Sequence, residues 1–361
     1  MHSRNCPPKK ILIINTFGVG DVLFTTPLIS NLKANDPDVY IGYICNRRTE
    51  ALLERNPKVN RIFVYERDEF NAVYQRSKIA LVKKFRQFLK EVQNDRFDLV
   101  IDVSLSRGTG FLTWMIGIKQ RIGYNYKHRS LFLNKRIPLK GYEEKHVVEY
   151  YLSLLEELGW EVRSKDLELT LNEDDLKWAE SFMSSNQTFS NGNPVIGLVP
   201  GGGASWGKES AYKRWPAEKY AKLADKLIEK FSAATILMGD KNELALCTKV
   251  SQAMSHKPVM ACGETTINQF AALAQKCSLM IVNDGGPLHI AAAAGVQTVS
   301  IFGPVDENVY GPYPIGNHIV VKKEIACQPC YRRFRKAKCE HISCLNQLTV
   351  EEVLERIKEA L

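Results

Sequence analysis

Residues 279–303 read LMIVNDGGPLHIAAAAGVQTVSIFG, and their order decides the fold. The apolar run Leu279 to Asn283 has the length of a strand buried on both faces. Asp284, Gly285 and Gly286 follow. Two glycines open the backbone to close approach, and Pro287 suits the first position of a helix. A helix of small residues comes next, then a second β-branched run, Thr298 to Phe302, closed by Gly303 and Pro304 in a tight turn. Strand, helix and strand in this order predict a parallel sheet covered by helices.

Outward from this stretch the alternation persists. Upstream, Val195 to Val199 and Ala234 to Met238 are predicted strands, with helices over 216–231, 242–254 and 267–275. In the first half, strands are expected at 10–16, 39–45, 61–65 and 98–103, and helices at 21–34, 49–55, 77–94 and about 146–158. The polar stretch NQTFSNGNP (186–194) is rich in turn formers and marks a boundary. Two α/β domains are therefore expected, residues 1–185 and 186–346. A final helix from Thr349, capped with Glu352 three residues on, falls within 347–361. Doubly wound sheets bind ligands at the carboxyl ends of their strands, so the chemistry is sought there.

A chain of 361 residues with 45% hydrophobic and 25% charged residues builds more than one core, and no biased tract suggests disorder. MHSRNCPPKK at the start holds no apolar leader, and the apolar runs are strand-sized, so the chain reads as cytoplasmic without a membrane span. Of nine cysteines, Cys6, Cys45, Cys247, Cys262 and Cys277 stand singly in apolar contexts, as reduced core thiols do. The net charge of +9 calls for an acidic partner: a nucleotide, a phosphorylated glycolipid surface or nucleic acid. The basic runs KHRSLFLNKR (127–136) and RRFRKAK (332–338) each read as a solvated face.

Three turns carry candidate chemistry. After the first strand, Gly18 and Gly20 permit a tight turn, and Asp21 stands at the helix start as a cap or as a carboxylate facing ligand. The third glycine of a dinucleotide fingerprint is absent. In the second, PGGGASWGKESAYKRWP (200–216), Gly201, Gly202, Gly203 and Ser205 offer donors for phosphate oxygens, and Lys213 offers a mobile cation without Walker spacing. The third is Asn283 to His289: a helix start presents free amides to a diphosphate, His289 lies in the first turn, and Asp284 is placed to orient sugar or ribose hydroxyls. Glu243 has two readings, a ribose-binding carboxylate or a solvent-facing helix residue. Near the end, Cys327, Cys330, Cys339 and Cys344 begin with the spacing of a thiolate knuckle. Structural zinc or iron is one reading, and reduced thiols or one disulfide the other.

With these stations placed, the chain resembles glycosyltransferase family 9, the bacterial heptosyltransferases, from about Lys10 to Pro314. The resemblance rests on KILIINTFGVGDVLFTTPLISNLK, DLVIDVSLSRGTGFLTWMIGIKQRIGY, PGGGASWGKESAYKRWPAEKYAKL and NDGGPLHIAAAAGVQTVSIFGP, in that order. It implies a GT-B fold: an acceptor-binding domain, a donor-binding domain, and a last helix crossing back to the first. It further implies inverting transfer from an ADP-sugar, a heptose or a related one, to a lipopolysaccharide core or other envelope glycan. No catalytic metal is implied, and the enzyme would stand free or at the inner membrane face beside a phosphorylated glycolipid acceptor. Asp21 matches the family's base and Lys213 its diphosphate lysine, while Asp284, Gly285, Gly286 and His289 match its donor turn. Two departures stand out: a longer loop over 201–212, and Lys241 near the usual place of a ribose-binding acid, which makes Glu243 the substitute. A protein-modifying heptosyltransferase, whose relatives carry a four-cysteine iron finger, and a nucleotide-sugar epimerase are the enzymatic alternatives. A nucleic-acid module built on RRFRKAK accounts for some thirty residues only, so no nucleic-acid partner is expected.

Overall fold

The computed structural model describes residues 8–189, 192–203 and 206–360. The chain forms two compact units. The first runs to Tyr142 and includes Val147–Lys165; the second takes Glu143–His146 and the described chain from Asp166 onward. The units thus part at Lys165–Asp166 and not at the expected 185–186. The helix Glu173–Ser185 explains the difference, because it packs on the helix Ile267–Ala274 of the second unit. The polar stretch after it is a surface loop within that unit.

The first unit is a six-stranded sheet. Its strands are β1 (Lys10–Ile14), β2 (Tyr40–Cys45), β3 (Arg61–Val64), β4 (Leu99–Asp102), β5 (Gln120–Tyr126) and β6 (Lys135–Leu139), in spatial order β3-β2-β1-β4-β5-β6. All pairs are parallel. Ile11 to Ile14 are fully buried, as a central strand covered on both faces requires. One face is closed by Phe63, Phe70, Phe88 and Phe97, supplied by β3, the helices Arg67–Arg76 and Lys78–Asn94, and the turn into β4. The helix expected over 21–34 is two, Val19–Leu23 and Thr26–Asn35, with Pro27 opening the second.

The second unit repeats the plan. Its strands are β7 (Val195–Val199), β8 (Ala234–Leu237), β9 (Val259–Met260), β10 (Leu279–Asn283), β11 (Thr298–Phe302) and β12 (Ile319–Lys322), in spatial order β12-β11-β10-β7-β8-β9, again all parallel. Counted within each unit, both sheets follow the order 3-2-1-4-5-6 of a doubly wound nucleotide-binding fold. The topological switch falls between β1 and β4 in one sheet and between β7 and β10 in the other. The helix Ala217–Phe231 covers the second sheet because Tyr220, Ala221, Leu223, Ala224 and Leu227 share its buried stripe, and Ser232 ends it in the left-handed conformation.

The last helix, Val350–Ile357, is capped as expected by Thr349 and Glu352. Its apolar face of Val350, Val353, Leu354 and Ile357 sits in the core of the second unit with Trp215 and Leu227. Those four buried side chains place it there. Among the described residues no helix is long and apolar enough to cross a membrane.

Candidate functional site

At the switch point of the second sheet, the loop after β7 lies across the turn after β10. Asn283, fully buried at the end of β10, joins the two: its Nδ2 donates to the Pro200 carbonyl at 2.7 Å, and its Oδ1 accepts from the Trp215 amide at 3.1 Å. A Cβ on Gly285 would lie 1.9 Å from the Gly202 carbonyl oxygen, so only glycine fits there. The helix Gly286–Ala293, with Pro287 in its first turn, then points its free amides at the space beside the glycine loop.

Charge is concentrated at this crossing. Lys213 Nζ lies 2.7 Å from Asp284 Oδ2, with side-chain exposures of 9% and 3%, so the pair is shielded from water. The indole of Trp206 covers the ammonium at 4.6 Å. Trp206 itself adopts a left-handed conformation (φ 67°), costly for a bulky residue. It is held by Tyr331, 5.0 Å away between ring centroids, and by Lys336, whose ammonium also bonds Glu209 at 3.0 Å. His289 is buried in the first turn of the helix, where burial, with the charges of His146, Lys213 and His318, pushes its pKa down to about 3. It is a neutral imidazole at physiological pH.

Glu243 does not face solvent, as one of its two readings had it. It is 3% exposed and lies beneath the glycine loop, where its carboxylate accepts from the Gly203 amide at 2.9 Å and the Asp240 amide at 3.1 Å, with Arg214 at 3.7 Å. Burial raises its pKa. Arg214 Nε in turn donates to the Gly201 carbonyl. Both carboxylate oxygens are thus engaged by the protein, and the residue shapes the loop from below. Ser205 lies outside the described residues.

In the first unit, Asp21 follows β1. It is the third residue of the helix Val19–Leu23 and not its cap, and its Oδ2 accepts from the Gly18 amide at 3.2 Å. Gly18 has an ordinary φ of −78° and room for a Cβ, and Gly20 lies inside the helix, so neither is needed for a tight turn. The turn is held by asparagines: Asn15 Nδ2 donates to the Asp21 carbonyl, and Asn46 Nδ2 to those of Thr16 and Phe17. Burial first, and then charges that include Asp21, hold the phenols of Tyr43, Tyr142 and Tyr151 far above their ordinary range, so they stay neutral donors. On neighbouring β4, buried Asp102 is bonded by Ser104 and Thr109 and braces the start of the helix Arg107–Met115. Asn15, Asn283, Trp206 and Arg214 were not singled out from sequence; only Asn283 carried a signal, its place beside Asp284 and the glycines.

Cys327, Cys330, Cys339 and Cys344 line one small cavity with Tyr212, Pro304 and Lys336. Among the described residues, however, no three Cys, His, Asp or Glu side chains converge closely enough to hold a metal ion. The four are spread from an exposed loop at Cys327 to the hydrophobic core at Cys344, and burial raises the thiols of Cys330 and Cys344, the latter to about 11. The segment is fixed by its backbone, with the amides of Cys330 and Tyr331 bonded to the Pro304 carbonyl. The singly placed cysteines that are described, Cys45, Cys247, Cys262 and Cys277, are buried free thiols as expected; Cys6 lies outside the described residues.

Two doubly wound sheets, one with a buried lysine beside a helix start at its switch point, give the GT-B fold, and its relatives make the chain a glycosyltransferase. The family model for glycosyltransferase family 9 (heptosyltransferase) matches residues 85–341. The chain is 32% identical to lipooligosaccharide heptosyltransferase 2 of Campylobacter jejuni over 98% of both chains. Among solved structures, the family 9 glycosyl transferase of Veillonella parvula superposes with a TM-score of 0.79 at 23% identity, covering 98% of this chain and 97% of that one. The E. coli ADP-heptose lps heptosyltransferase II gives a TM-score of 0.75 at 22% identity, covering 97% and 98%. The chain belongs to glycosyltransferase family 9.

Proposed function

We propose that this enzyme transfers a heptose from ADP-heptose to a sugar hydroxyl of a lipopolysaccharide or lipooligosaccharide core acceptor, with inversion at the anomeric carbon. The observation that carries this reading is the buried Lys213–Asp284 pair at the start of the helix Gly286–Ala293, where cation, free amides and glycine-lined backbone meet. That combination suits a diphosphate leaving group. The family description and the name of the C. jejuni relative support heptose, and the name of the E. coli structure supports an ADP donor.

In the proposed step the acceptor oxygen attacks the anomeric carbon and the bond from that carbon to the phosphate oxygen breaks. ADP leaves with the electron pair, and the acceptor proton passes to Asp21. The carboxylate accepts that proton as the nucleophile forms its bond. Lys213 neutralises charge developing on the diphosphate, and neutral His289 serves as a hydrogen-bonding partner to the donor. This accounts for the leaving group without calling on a metal. Asp21→Ala is expected to abolish transfer while ADP binding by calorimetry stays within about twofold, whereas Lys213→Ala weakens both. Full turnover by the Asp21 variant, followed by mass spectrometry of the product, would remove it as the base.

A further inference from the structure

One face of the first unit has no part in the chemistry above. Between Val103 and Tyr142 the chain holds eight Lys or Arg residues and no Asp or Glu. On that stretch, Phe111, Trp114 and Met115 of the helix Arg107–Met115 are 39%, 53% and 45% exposed, and Leu131 is 55% exposed. The opposite side of the helix is anchored through Leu112 in the core. Phe111, Trp114 and Phe132 form one aromatic cluster, with ring centroids 5.1–5.9 Å apart. The loop is built to hold its apolar side chains outward. Arg121 Nε donates to the Phe132 carbonyl at 2.7 Å, and Arg136 donates to the carbonyls of Leu133 and Leu131 at 2.7 and 2.8 Å. Lys119, Lys127 and Arg129 are exposed beside it, the last two over the Tyr126 ring.

An aromatic and aliphatic tip on a stretch rich in cations, with Lys135 paired to Glu157 and Lys119, Lys127 and Arg129 exposed, has the composition of a surface that lies on an anionic bilayer. Tryptophan and phenylalanine enter the headgroup boundary while lysine and arginine meet lipid phosphates. Charge decides against a second copy as the occupant, since two such faces would repel. We infer that the face formed by Phe111, Trp114, Met115 and Leu131 docks the enzyme on an anionic lipid surface. The inference extends the glycolipid-acceptor reading above, because docking brings the enzyme to a lipid-borne acceptor, and it is tested apart from that reading.

The full chain is sedimented with vesicles of equimolar phosphatidylcholine and phosphatidylglycerol, and with phosphatidylcholine alone. Binding to the anionic vesicles only, weakened by salt, is expected. Trp114→Glu is expected to lower vesicle affinity by about tenfold or more, and the pair Lys127→Glu/Arg129→Glu by a similar factor. Trp114 is half exposed, so its replacement leaves the fold standing, and the charge pair tests the same face without touching its apolar part. Transfer to an acceptor sugar stripped of acyl chains is expected to be unchanged in both variants. If the parent chain transfers to no acceptor but still binds anionic vesicles, the functional reading fails and the docking face stands. Absence of vesicle binding by the parent, or equal binding by parent and variants, overturns the inference. A concentration-dependent dimer that Trp114→Glu dissolves would assign the face to a second copy and overturn it as well.

Discussion

Lys213 and Asp284 are each nearly inaccessible to water, so each depends on the other for charge compensation. Removing one partner of a buried ion pair strands the other and costs about 3–5 kcal/mol, whereas removing both costs far less. Lys213→Met is therefore expected to lower unfolding free energy by about 3 kcal/mol. The double variant Lys213→Met/Asp284→Asn is expected to regain most of that loss in denaturant titration and none of the lost transfer. A double variant as unstable as the single would show that the pair is not the source of the effect. His289 gives a pH dependence of definite sign. Its pKa is pushed down to about 3 in the folded chain, below the ordinary value near 6.5 in the unfolded one. Between those values the unfolded state binds the extra proton, so the contribution is fully present above about pH 6.5 and is lost as pH falls toward 3. Unfolding free energy is expected to fall between neutral pH and about pH 5, and the slope to flatten in His289→Gln. Burial lowers His318 in the same direction, so the slope flattens without vanishing.

At the scale of elements, the short hairpin Tyr331–Arg332 with Arg335–Lys336 inside the cysteine segment buttresses the proposed donor loop. Lys336 is only 13% exposed; its ammonium lies 3.3 Å from the centre of the Tyr212 ring, reaches the Trp206 ring and pairs with Glu209. These contacts hold the segment Gly207–Lys213 that ends in the proposed phosphate lysine. Lys336→Ala is expected to raise the donor KM about fivefold with little change in kcat, as for loss of a shielded cation–π contact. An unchanged KM would reduce the hairpin to a surface ornament. The four strands flanking the two switch points, two at each, were readable because the runs KILII, LVID, VIGLV and LMIVN are buried and carry no alternation to confuse. The strand β6 escaped notice because edge positions admit charge: KRIPL has two exposed basic residues and a proline at the sheet margin. Its inner neighbour β5, QRIGYNY, mixes polar residues into the run and carries no continuous apolar signal. Gly285 was legible as a close approach, since no other residue serves there. Asn15 was not, because asparagine is common in any turn and only the fold shows which carbonyl it joins. The two readings of Glu243 stayed open for a related reason: its spacing places it at a helix start, but not whether that start faces solvent or the underside of a loop.

At the scale of the molecule, the two units have the same topology and separate cores, and the proposed donor groups all belong to one of them. A ligand that binds only the folded state stabilises by mass action, about 2.7 kcal/mol at a hundred times its dissociation constant. If ADP is held by the glycine loop and the start of the helix Gly286–Ala293, that stabilisation belongs to the elements whose opening destroys the site: β7, β10 and the segment through Trp215 that Asn283 ties to them. Hydrogen exchange with ADP is therefore expected to slow in peptides covering β7 and β10 by about a hundredfold at that saturation, if those amides exchange through unfolding of the second unit. Peptides from β1 and β4 are expected to keep their rates, because Asp21 and Asp102 make no demand on the nucleotide. Equal slowing in both sheets would mean that the units unfold as one body, and slowing confined to β1 and β4 would place the nucleotide in the first unit and reverse the proposed division of donor and acceptor.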